Sequence, residues 1–135
     1  MSRLETNEFR AEYLREVGSF LPLLIDAIHA LEVNPADRLA WAQMRRLVHL
    51  FCEASAAAGV DGLIHMAACM ETAMDRFPVG VELQPLLVAA MTATVERFEG
   101  LIRGLERGEL VDHDLLVART REDFVFCAAA AASQA

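Results

Sequence analysis

Arg45-Arg46-Leu47-Val48-His49-Leu50-Phe51-Cys52-Glu53, running on through an alanine-rich tail to Gly59, is the stretch that decides the fold. Met44, Leu47, Val48 and Phe51 recur at three- and four-residue spacing. At about 100° per residue they fill roughly a third of a helical wheel, which is the width of stripe a helix buries against other helices. His49 lies about 150° from the centre of that stripe. It shares its side with Arg45, Arg46 and Glu53 and with the small residues Ala42 and Ala56. His49 is therefore predicted to be exposed on a helix of about Arg38 to Ala57. Asn34-Pro35-Ala36-Asp37 supplies a turn and a cap before it, and Gly59 is a natural stop after it.

The same period extends in both directions. Phe9, Tyr13, Val17, Phe20, Leu24 and Ile28 predict a helix over Phe9–Ala30, with Gly18 and Pro22 interrupting it. Proline removes a helix hydrogen bond and crowds the preceding turn, so a kink is expected, or a second helix beginning near Leu21. His29, near the end of this element, suits the helix dipole and reads as structural. Beyond Gly59, Asp61 can cap a helix reaching Phe77, with Leu63, Ala67, Met70, Met74 and Phe77 as its stripe and His65 and Cys69 opposite. Pro78-Val79-Gly80 closes it. Leu87, Met91, Val95, Phe98, Ile102 and Leu105 predict a helix from about Leu83, with Pro85 in its first turn and Gly104 and Gly108 at its end. A last amphipathic segment runs from Asp112 to about Ala130. No segment alternates with period two. The expectation is an all-α, up-and-down four-helix bundle with additional N- and C-terminal helical segments: one domain over 1–135, its core at about 9–105 and an accessory helix at 112–130.

Composition narrows the function. The chain has 135 residues, enough for a core without staples, and more than half are apolar. A net charge of −8 argues against nonspecific binding to nucleic acid or to an anionic membrane, both of which need a basic face. All twelve cationic residues are arginine, which removes Schiff-base lysine chemistry and the P-loop. Cys52, Cys69 and Cys127 form no C-x-x-C pair, so neither a disulfide framework nor a zinc ribbon is signalled. The first ten residues lack the apolar stretch of a secretory signal, and no apolar run is long enough to span a membrane. The expected setting is cytoplasmic.

Several chemistries can be weighed against this frame. A di-iron site needs Glu-x-x-His pairs on two helices, and the chain has none. Zinc could use His65 with Cys69 or His49 with Cys52, but nothing makes the two pairs converge, and no metal is expected. Serine or cysteine nucleophile catalysis has no motif to rest on.

The stretch around His49 resembles the histidine phosphotransfer (HPt) domain of two-component phosphorelays. The resemblance rests on His49, on Phe51 and Ser55 at the family's small and apolar positions, on Gly59 ten residues after the histidine, and on Met70-Glu71 in the following helix. It covers roughly Phe9 to Leu105. The resemblance implies a phosphoryl carrier rather than a turnover enzyme. His49 would accept a phosphoryl group from a receiver-domain aspartate and return it to another. The implied partners are a response-regulator receiver domain and a hybrid sensor histidine kinase. No cofactor is implied for this chain, since Mg²⁺ belongs to the receiver.

Two positions depart from the family pattern: Cys52 stands where lysine is usual, and Glu53 where glycine is usual. Arg45 and Arg46 could replace the missing positive charge, and arginine is a good phosphate partner. Glu53 crowds the imidazole and would repel a phosphoryl group by about 1 kcal/mol at the surface. The alternative is an HPt-like module for interaction or dimerisation that has lost the chemistry, with His49 a solvated residue paired to Glu53. Whether the chain forms a homodimer, through the last helix or otherwise, is left open by the residues.

Overall fold

The computed structural model describes residues 7–77 and 83–133. Among these it has five α-helices and no strand: α1 (Asn7–Val33), α2 (Arg38–Ala58), α3 (Asp61–Asp75), α4 (Pro85–Glu106) and α5 (His113–Ser133). Pro78-Val79-Gly80, expected to close the third helix, lies outside the described residues.

Local chemistry sets most of the boundaries. Asp37 caps α2 by accepting the Ala40 N–H at 3.1 Å, and the Asn34 side chain accepts from Ala36 at 3.1 Å in the turn before it. Gly59 ends α2 in the left-handed region at φ 73°, and Val60 N–H returns to the Ser55 carbonyl, the Schellman arrangement. Gly108 at φ 70° ends α4 in the same way, with Glu109 N–H on the Gly104 carbonyl. Pro85 occupies the start of α4, where its missing N–H costs nothing. Asp112 accepts from Leu115 N–H at 3.0 Å and starts α5.

Two local expectations are corrected. α1 runs unbroken through Gly18 and Pro22. Val17 and Leu24 on either side of the proline are fully buried, so packing of one continuous apolar face outweighs the lost backbone bond. Asp61 is the first residue of α3 and not its cap; Val60 holds the cap position without a side-chain bond. Gly104 lies in the last turn of α4, which runs to Glu106. A Cβ at Gly104 would stand 2.6 Å from Val111 Cγ2, so the glycine is there to let the chain pass closely on its way into α5.

The predicted stripes are the core. Met44, Leu47, Val48 and Phe51 of α2, Leu63, Ala67, Met70 and Met74 of α3, and Leu87, Met91, Val95, Phe98 and Ile102 of α4 are all buried. Phe51 and Phe98 stack at its centre with ring centroids 4.5 Å apart. Tyr13 and Ser55 share a buried hydrogen bond of 2.9 Å between α1 and α2. Phe9 is the exception, half exposed near the start of α1.

The core does not stop at Leu105. α5 lies against both α3 and α4, which touch each other more lightly. Val117, Thr120, Phe124 and Cys127 are buried there. Arg97 of α4 donates to Thr120 Oγ1 at 3.1 Å and to Asp123 Oδ2 at 2.7 Å, and the Cys127 thiol donates to the Leu86 carbonyl at 3.2 Å. Burial, with Asp123 adding to it, pushes that thiol's pKa up and keeps it protonated. No helix among the described residues is long and apolar enough to cross a membrane.

Candidate functional site

His49 stands on the outward face of α2, its side chain 61% exposed. The backbone beneath it is rigid for two reasons. Val48 and Phe51 bury its neighbours, and Arg45 staples α2 to α3. The Arg45 guanidinium donates to the Met74 carbonyl at 3.3 Å and to the Asp75 carboxylate.

Both ring nitrogens of His49 face carboxylates. Nε2 is 2.9 Å from Glu53 Oε1, one turn along the same helix, and Nδ1 is 3.3 Å from Glu71 Oε1 on α3. The two carboxylates differ in environment. Glu53 is 63% exposed and held only by this surface contact, whereas Glu71 is 31% exposed. Glu71 Oε1 is buried and makes no well-aligned hydrogen bond, so its strongest available donor is the imidazole in front of it. An exposed carboxylate and a half-buried one thus flank the ring.

The remaining candidates separate. Arg45 is engaged by Asp75 and Met74, so its charge is already matched. Arg46 is exposed and has no ion-pair partner among the described residues. Together with Ala42, Arg45, His49, Glu71, Met74 and Asp75 it lines an open depression of about 630 Å³ between α2 and α3. Cys52 turns toward α3, its thiol near the Ile64 carbonyl. Burial raises its pKa first, and the nearby Glu71 and Glu53 charges add to that. A neutral, half-buried thiol supplies no positive charge. Cys52 packs against the core.

Glu71 and Asp75 were not singled out as site residues from the sequence, although a signal exists. In a helical hairpin, residues equally far from the turn face each other. His49 and Glu71 each lie eleven residues from Val60, and Arg45 and Asp75 each lie fifteen from it. His65 is exposed and Cys69 half-buried on the other side of α3, beside Phe124 and Ala128 of α5, away from His49. Among the described residues no group of three or more His, Cys, Asp or Glu is arranged to hold a metal ion.

Comparison with known protein families, curated proteins and solved structures returns no match for this chain.

Proposed function

We propose that this chain is a phosphoryl carrier of the HPt type, an up-and-down bundle of α1 to α4 with α5 added at the seam between α3 and α4, and that His49 accepts and donates the phosphoryl group. The observation that carries this reading is the pairing of an exposed histidine with a half-buried carboxylate. With Glu53 displaced from Nε2, Glu71, 3.3 Å from Nδ1, favours the tautomer with its proton on Nδ1 and leaves the Nε2 lone pair as the nucleophile. Nε2 attacks the phosphorus of a receiver aspartyl phosphate. The N–P bond forms, the acyl P–O bond breaks, and the aspartate leaves as carboxylate. The ring then carries formal positive charge with its proton still on Nδ1, and Glu71 stabilises that charge as a carboxylate stabilises imidazolium in other nucleophilic sites. Arg46, which lines the same depression and has no ion-pair partner among the described residues, would take the phosphoryl oxygens. Glu53 swings off Nε2 when the partner docks. As an exposed i,i+4 contact it is worth about 0.3–0.5 kcal/mol, little to displace.

The interaction-module reading is favoured by one specific observation, that Glu53 occupies the attacking nitrogen while Arg45 is committed to Asp75. Incubation with a phosphorylated receiver domain separates the two. Transfer of acid-labile phosphate to the chain, abolished in His49→Gln, supports the carrier. Receiver binding without label supports the module.

A further inference from the structure

α5 is apolar on two sides. Val117, Phe124 and Cys127 face α3 and α4, while Leu115, Val125 and Phe126 are exposed on the other side, 46%, 67% and 63% respectively. Within that outer face, Leu115, Arg119, Glu122 and Phe126 fall within about 60° of one another at 100° per residue. All four are exposed, and neither Arg119 nor Glu122 has an ion-pair partner among the described residues. The order along the helix is apolar, cation, anion, apolar, at spacings that are the same read from either end.

We infer that this stripe is a self-complementary interface through which two copies of the chain pair, α5 against α5 and antiparallel. A two-fold axis between positions 120 and 121 brings Leu115 opposite Phe126 of the second copy and Arg119 opposite Glu122 of the second copy, with both contacts repeated by symmetry, as an isologous interface requires. Parallel pairing is disfavoured, because it sets Arg119 against Arg119 and Glu122 against Glu122. Beside Phe126, a shallow depression of about 200 Å³ lined by Leu86, Ala89 and Ala93 of α4 is open to receive Leu115 of the second copy. Leu86 is itself partly exposed at this edge, so the apolar patch continues from α5 onto α4. One helix pair with these flanking contacts lies at the small end of specific interfaces, below about 1,200 Å². The dimer is therefore weak, and its population rises with concentration.

Sedimentation equilibrium over a concentration series tests this. The wild-type mass should rise from 14.9 kDa toward twice that value. Arg119→Glu alone and Glu122→Arg alone each oppose like charges across the axis and should stay monomeric. An equimolar mixture of the two restores opposite charges at both contacts and should dimerise, as should the chain carrying both reversals. Both sites are exposed, and circular dichroism checks that each variant is folded. A wild type monomeric throughout the series overturns the proposal, as does a dimer that neither single reversal weakens. The readout is mass, so it stands whether or not His49 carries phosphate.

Discussion

His49 has an acceptor at each ring nitrogen, and the two acceptors have opposite consequences. In the proposed carrier, Glu71 would support Nε2 as a nucleophile through Nδ1, whereas Glu53 lies against Nε2 itself. On that proposal, Glu71→Gln removes the charge that would stabilise the phosphorylated ring, and phosphotransfer measured by label incorporation should slow about tenfold, equivalent to about 1.4 kcal/mol in the barrier. Glu53→Ala removes a repulsion of about 1 kcal/mol and should speed transfer about fivefold. Glu53→Gly gains the same charge relief and more room, but costs about 1 kcal/mol of helix stability. A rate that falls in both Glu53 variants would mean that Glu53 orients the ring. Tyr13 provides an independent check on the core. Burial holds its phenol protonated well above the usual range, with the Ser55 hydrogen bond a smaller opposing effect. The unfolded chain releases that proton near about pH 10 and the folded chain does not. The unfolded state then binds fewer protons, so stability is intact below that pH and falls as pH rises above it. Tyr13 is the one tyrosine in the chain, so tyrosinate absorbance should appear together with loss of helical dichroism, and Tyr13→Phe should flatten the alkaline slope.

At the scale of elements, two glycines one turn apart on α4 should respond oppositely to the same change. Gly100 is exposed, and a Cβ there meets nothing within 4 Å. Gly100→Ala should stabilise by about 1 kcal/mol, the helix-propensity difference. A Cβ at Gly104 collides with the branched side chain of Val111, so Gly104→Ala should cost about 1–3 kcal/mol by overpacking, less what it gains in propensity. Thermal unfolding of the two variants reads both signs. Gly62 of α3 plays the corresponding part at the other contact of this segment, where an added Cβ would run into the His113 ring. Both glycines let the start of α5 approach the helices it covers. Their spacing alone reads as helix ends or idle positions. A close approach between segments remote in sequence leaves no periodic trace, so the packing part of Gly104 is not legible there. The continuity of α1 through Pro22, in place of a second helix beginning near Leu21, has a related reason: the local cost of proline is visible in the sequence, and the burial on both sides that outweighs it is not.

For the molecule as a whole, α5 is a structural member. Three of its apolar side chains, Val117, Phe124 and Cys127, are buried, and full burial of Val- and Phe-sized groups contributes about 1.5–3 kcal/mol each. That is comparable with a total stability of about 5–15 kcal/mol for a domain of this size. Truncation after Gly108 should therefore leave a chain that binds a hydrophobic dye and unfolds without a sharp transition, whereas a core ending at Leu105 would leave it cooperative. The approximate positions of the helices, their apolar faces, the stop at Gly59 and the exposure of His49 were determined by the sequence alone, whereas the choice of Asp37 over Asn34 as the cap of α2 was not. Each depends on residues within a few turns of one another, and helical periodicity reports those directly. Only the tertiary structure decided that Glu71 lies against His49, that Arg45 is held by Asp75 while Arg46 has no ion-pair partner among the described residues, and that α5 lies against both α3 and α4. Those contacts depend on the register and rotation of one helix against another, and packing of the assembled core selects these.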